Sequence, residues 1–106
     1  MFDRRYPRAH FVTESPLITI HVPGPLRPSC AGQAELSVRA GTVLEVLEVL
    51  ERDQTALYAN VCDETGLVRR HLNVFINADH MRDRDGVDTT LASGDVVTFL
   101  PAVSGG

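Results

Sequence analysis

Val96-Val97-Thr98-Phe99-Leu100-Pro101-Ala102-Val103-Ser104-Gly105-Gly106 closes the sequence. Its first five residues are apolar except for Thr98, a composition that suits a pleated, partly buried strand. The parity predicts Val97 and Phe99 facing inward, with Val96, Thr98 and Leu100 outward. The stretch then runs out through Pro101 into two glycines. Without a Cβ, glycine leaves the backbone free to enter a slot too narrow for side chains. Such a stalk can present the carboxylate of Gly106 to the active site of another protein. Terminal glycines alone describe a frayed end equally well, so the rest of the chain has to decide.

Immediately upstream, Leu91-Ala92-Ser93-Gly94-Asp95 reads as a turn in which Gly94 needs a positive φ. Residues 72–77 alternate as a strand, with Leu72, Val74 and Ile76 inward and Asn73, Phe75 and Asn77 outward. Phe75 is an aromatic on the polar face. With Leu100 it offers two apolar residues on the outer side, a possible docking patch, although scattered exposed apolar residues are ordinary. His80 lies just past this strand, where it either rims the patch or is solvated. Residues 78–90, rich in Asp and Arg, read as a loop.

Further back, residues 17–22 alternate, with Ile18, Ile20 and Val22 on one face, and Pro23-Gly24-Pro25 ends the run. The loop to residue 33 shows no regular pattern. Residues 35–40 alternate again, Leu36 and Val38 inward, which makes the two runs a hairpin with a long connection. Gly41-Thr42 starts a helix with Thr42 as N-cap and Glu45 placed for a capping box. Val43, Leu44, Val46, Leu47 and Leu50 give it an apolar face. Residues 57–61 read as a short second helix held by Leu57 and Val61, and residues 63–66 as a turn. The order strand, strand, helix, strand, strand is an α+β pattern: a mixed sheet of four to five strands crossed by one main helix. In its β-grasp form the last strand lies centrally, parallel to the first. The expected division is a mobile leader at residues 1–15, a domain at 16–101 and a flexible tail at 102–106.

Composition narrows the function. A chain of 106 residues is one domain, and its 43% apolar content is too high for disorder. A net charge of −4 argues against nucleic-acid binding through a basic surface. No apolar run approaches a membrane span and the start lacks a signal-peptide core, so a cytoplasmic protein without nucleic-acid or membrane partners is expected. Lysine is absent. The chain therefore has no side-chain amine for isopeptide bonding to itself, although a GC-rich genome accounts for the same bias. Cys30 and Cys62 lack a CxxC spacing and read as separate thiols. Cys62 is expected to be packed, and Cys30, in its Pro-rich loop, to be exposed.

Other clusters carry little. Asp79, Asp83, Asp85 and Asp88 with Gly86 resemble a calcium loop only superficially, since Met81 and Ala92 occupy the first and last ligand positions. The four histidines and two cysteines show no zinc spacing. Arg69, Arg70, Arg82 and Arg84 can pair with an acidic partner, but a solvated surface is the default.

Three segments together are distinctive: Asn73-Val74-Phe75-Ile76-Asn77, Leu91-Ala92-Ser93-Gly94-Asp95, and Thr98 through Pro101 to Gly105-Gly106. At this spacing they resemble the ubiquitin-like sulfur-carrier family, over residues 17–106. That family includes the small subunit of molybdopterin synthase, the thiamine-pathway carrier and the carriers of cysteine biosynthesis. Arg69-Arg70-His71 and the length of the following loop look more like the cysteine-pathway and longer molybdopterin-type members. The resemblance implies a β-grasp fold and a carrier with no catalytic residue of its own. Gly106 would be adenylated by an E1-like enzyme using ATP and then converted to a thiocarboxylate, with no protease needed to expose it. Gly105, Ser104 and Val103 would thread into the partner, and Leu100, Phe75, Pro101 and His80 would dock against it. The sequence holds neither GxGxxG nor GxxxxGK[ST], so no cofactor is expected on this chain and the nucleotide site falls to the partner. The implied acceptor is an enzyme of the molybdopterin synthase large-subunit, cysteine synthase or thiazole synthase type. The alternative is a protein modifier joined through Gly106 to lysines of other proteins.

Overall fold

A computed structural model describes residues 15–102, so the expected leader, apart from Ser15, and Val103, Ser104, Gly105 and Gly106 lie outside the described residues. Five strands form one sheet: β1 (Leu17–His21), β2 (Glu35–Arg39), β3 (Leu72–Ile76), β4 (Asp79–His80) and β5 (Val96–Pro101). Their spatial order is β2-β1-β5-β3-β4. β5 runs parallel to β1, with Ile20 opposite Val97, and antiparallel to β3, with Val74 opposite Phe99. The last strand is thus central and parallel to the first, the β-grasp arrangement. Among the described residues two α-helices, α1 (Val43–Asp53) and α2 (Thr55–Val61), pack into the same core.

Strand alternation builds the core. Ile18, Ile20, Val74, Ile76, Val97 and Phe99 are fully buried and share a cluster with Val43, Val46, Leu47 and Leu50 of α1 and with Leu57 and Val61 of α2. Full burial of one such side chain is worth about 1.5–3 kcal/mol. Leu44 departs from the expected apolar face of α1 and is exposed. It sits on the first turn, about 100° around the helix from Val43, whereas Val43, Val46, Leu47 and Leu50 share the i, i+3, i+4, i+7 stripe.

Thr42 caps α1 by accepting from the Glu45 N–H at 3.2 Å. Glu45 returns one residue earlier than a capping box requires, Oε1 accepting from the Gly41 N–H at 2.7 Å. The start of α1 is also bound to the end of the long loop. Val43 N donates to Thr89 O and Leu91 N to Gly41 O. Thr89 is fully buried there; its hydroxyl donates to Gly86 O and accepts from Asp85 N.

Three segments are more ordered than their patterns suggest. Between β1 and β2, Gly24–Cys30 forms a 3-10 helix that buries Leu26 and Cys30. Cys30 is therefore in the core and not exposed; its thiol donates to Gln33 O. Asn77 is not a strand residue: at φ 55° it is left-handed and turns the chain back so that β4 pairs with β3. Residues 78–90 then continue through two 3-10 turns, Met81–Asp83 and Gly86–Asp88, instead of an irregular loop. Cys62 is buried, as its apolar neighbours predict.

Candidate functional site

β5 ends at Pro101, at the root of the expected tail. Leu72 pairs with Pro101, Asn73 with Leu100 and Phe75 with Thr98. Ala102 N donates to His71 O at 2.6 Å, carrying the pairing one residue past the strand. The departure point of the expected tail is therefore held on a central strand, and rigid elements position a site better than loops do.

Directly opposed residues of an antiparallel pair share a face, so Leu100, Asn73, Thr98, Phe75 and His80 lie together on the side of the sheet away from the core. Leu100 is 45% exposed, while Phe75, Pro101 and His80 are half-buried. The structure thus brings three of the four residues expected to dock a partner, Leu100, Phe75 and His80, onto one face, while Pro101 opposes the core residue Leu72 and takes the other side of the strand. β4 supplies the join: it folds His80 back beside Phe75, and the two rings meet edge to face at 5.2 Å.

His80 is fixed rather than simply solvated. Its Nδ1 accepts from the Arg82 backbone N–H at 3.0 Å, and its Nε2 lies 3.0 Å from Asn73 Oδ1. A backbone N–H can only donate, so Nδ1 is the acceptor and Nε2–H donates to Asn73. Arg82 Nη2 reaches the same Oδ1 at 3.5 Å. Strand parity places Asn73 outward, but its role as an anchor needed the β3–β4 turn, which the sequence pattern does not reveal.

At the other end of β5, Asp95 is half-buried. Its carboxylate accepts from Ala92 N at 2.9 Å and from Asn77 Nδ2 at 3.1 Å. The Ala92 bond first, and then Asn77, hold its carboxyl below the ordinary carboxylate value. Gly94 has φ +91°, as the turn predicts. Gly94 N donates to Leu17 O and Thr19 N to Asp95 O, so one turn ties β1 to the start of β5.

A separate cleft of about 550 Å³ lies beside α2 and is lined by Tyr58, Cys62, Asp63, Thr65 and Arg69, among others. Burial pushes both the Tyr58 hydroxyl and the Cys62 thiol up, the latter against an opposing hydrogen bond from Tyr58. A raised thiol is a poor nucleophile. Among the described residues no group of three or more His, Cys, Asp or Glu side chains is placed to hold a metal ion. No helix there is long and apolar enough to cross a membrane.

Comparison with known proteins agrees with this geometry. The ThiS family model matches residues 20–106. The sulfur carrier protein CysO of Mycobacterium tuberculosis is 34% identical over 91 residues, 84% of this chain and 98% of that protein. Small archaeal modifier protein 3 of Haloferax volcanii is 37% identical over 65 residues, 61% of this chain and 70% of that one. Among solved structures, the Amycolatopsis orientalis BexX/CysO complex aligns with TM-score 0.75 at 30% identity, covering 84% of this chain and 99% of the matched chain. The β5-centred sheet and the match reaching through the Gly-Gly pair lead to one assignment: the chain belongs to the ThiS family of ubiquitin-like sulfur carriers.

Proposed function

We propose that this chain carries sulfur as a thiocarboxylate on Gly106, for delivery to a cysteine precursor. The observation that carries this reading is that the family match runs through Gly105 and Gly106, directly after the central strand β5. The likeness to CysO over most of both chains favours the cysteine branch over pterin or thiazole synthesis.

A carboxylate is a poor acyl donor because its leaving group would be oxide. An oxygen of Gly106 attacks the α-phosphorus of ATP on an E1-like partner, and pyrophosphate leaves. Hydrosulfide then attacks the carbonyl carbon of the acyl-adenylate, AMP departs with the bonding pair, and the thioacid so formed loses its proton to give the thiocarboxylate. This chain contributes the tail and the surface that docks it. The acceptor enzyme is of the cysteine synthase type, with the molybdopterin synthase large subunit and thiazole synthase as the other acceptors of this chemistry. The BexX/CysO complex shows that one structural neighbour does assemble with a partner protein. The setting for this chemistry is the cytoplasm.

Intact-protein mass spectrometry of the chain isolated from its own host tests the proposal. A species with sulfur in place of one C-terminal oxygen, trapped at Gly106 by an alkylating reagent, supports it. Unmodified protein after incubation with ATP, a sulfur source and the host's activating enzyme refutes it. A second reading, conjugation to lysines of other proteins, is favoured by the likeness to the archaeal modifier. It predicts covalent conjugates in host extract that disappear when Gly106 is deleted. Because the chain has no lysine, lysine-linked polymers of it cannot form.

A further inference from the structure

A second surface adjoins the root of the tail and shares His80 with the outer face. Arg69, Arg70 and Arg82 line a cleft of about 400 Å³ together with Leu72, Met81 and His80. Leu72 pairs with Pro101, and the neighbouring His71 carbonyl holds Ala102, so this cleft sits beside the point where the tail leaves. Arg70 and Arg82 are exposed, and among the described residues neither has a carboxylate within salt-bridge distance. Arg69 is committed differently: its Nε donates to Ala59 O at 3.1 Å, and its charge acts on Asp63. Two arginines without acidic partners, on a chain of net charge −4, form a local field opposite to that of the whole.

We infer that Arg70 and Arg82 are a docking surface for an acidic segment of the enzyme that activates the tail, an inference that rests on the tail-donor reading. The chemistry selects this occupant. Residues 1–14 hold Arg4, Arg5 and Arg8 against Asp3 and Glu14 and so do not complement the cleft. A nucleic acid binds through a run of phosphate contacts, and two arginines are too few for that on a chain of net charge −4. A protein segment bearing a few carboxylates matches two guanidinium groups over the apolar floor of Leu72 and Met81. It would orient the carrier while Leu100 and Phe75 meet the same partner around the edge of the sheet.

The test is ATP–pyrophosphate exchange catalysed by the host's activating enzyme, with the full chain as substrate. Arg70→Glu/Arg82→Glu should raise KM roughly tenfold or more at low salt while leaving kcat unchanged. Raising the salt should weaken the wild type steeply and this variant hardly at all. Arg70→Lys/Arg82→Lys keeps the charge and should restore most of the affinity. Equal thermal unfolding midpoints would show that the fold is intact. If the wild type supports exchange and charge reversal leaves its KM unchanged, the docking surface is wrong and the carrier reading stands. If the wild type supports no exchange, both fall. A wild-type dimer in light scattering that the Glu variant dissolves would assign the cleft to a second copy and overturn the inference.

Discussion

Asn77 and Asp95 clasp the start of β5 from both directions. Asn77 Nδ2 donates to Asp95 Oδ1 at 3.1 Å, Asn77 Oδ1 accepts from Val96 N at 3.0 Å, and Asn77 N donates to Val96 O at 2.7 Å. Asp95 Oδ2 adds the bond from Ala92 N, while the Asp95 carbonyl accepts from Thr19 N. Two residues thereby join β1, the turn after β3, and β5. The central strand is fixed at one end by side chains and at the other, the root of the expected tail, by backbone pairing with His71 and Leu72.

Removing the Asp95 carboxylate should accordingly cost about 1–2 kcal/mol, the scale for charge-assisted bonds at a half-buried group. Because the folded carboxyl titrates below its ordinary value of 3.8, its stabilisation is complete above that value and is lost as pH falls through the folded value. Urea unfolding of wild type and Asp95→Ala should differ at neutral pH, and the gap should narrow below pH 3.8. A gap independent of pH would mean that the carboxylate charge contributes nothing.

Gly94 tests the same turn through the backbone alone. Its φ is +91°, yet a Cβ added there meets no heavy atom within 4 Å. Gly94→Ala should lose about 1–2 kcal/mol from backbone strain without any clash. Gly24 also has open space and no positive φ, so Gly24→Ala should stay within about 0.5 kcal/mol of wild type. Equal unfolding midpoints for the two variants would show that the left-handed conformation is not required.

Much of this architecture is legible in the sequence because alternation has a period of two and the core obeys it. Ile18, Ile20, Val74, Ile76, Val97 and Phe99 are where the pattern puts them, and the Leu91–Asp95 turn is as read. The exceptions share a physical cause. The 3-10 helix ending at Cys30 and the β3–β4 turn at Asn77 are short, and neither is long enough to show a hydrophobic period. Cys30 consequently reads as a loop residue although its thiol is inside. The outer patch was legible only in part: parity exposes Phe75 and Leu100, but the packing of His80 on Phe75 depends on a left-handed asparagine. That Arg70 and Arg82 line one cleft is a tertiary fact, invisible to spacing.

The buried thiols make a chemical prediction. Cys30 and Cys62 are both in the core, and burial pushes Cys62 up, so little thiolate is available to a reagent. Iodoacetamide should label neither at an appreciable rate in the native state and both once urea unfolds the chain. The sulfur-dependent alkylation proposed for Gly106 would then stand out as the fast native reaction. Rapid native labelling of Cys30 would contradict its packing in the Gly24–Cys30 helix.

The outer face can be separated from stability because Leu100 and Phe75 are embedded differently. Leu100 is 45% exposed, so Leu100→Glu removes little buried area and should move stability by no more than about 0.5 kcal/mol. Phe75 is half-buried and meets His80 edge to face, so Phe75→Ala should also cost folding energy, about 1 kcal/mol from that contact alone. If the face docks the activating enzyme, Leu100→Glu should raise KM in pyrophosphate exchange about tenfold, because a carboxylate would be left desolvated in the interface. Its unfolding curve should overlay the wild type. Since Leu100 and Arg70 both lie near the end of β5 and serve the same partner, their effects on KM should combine without a loss of kcat. A Leu100→Glu variant that keeps the wild-type KM would leave Arg70 and Arg82 as the only docking contacts argued for and remove the outer face from the proposal.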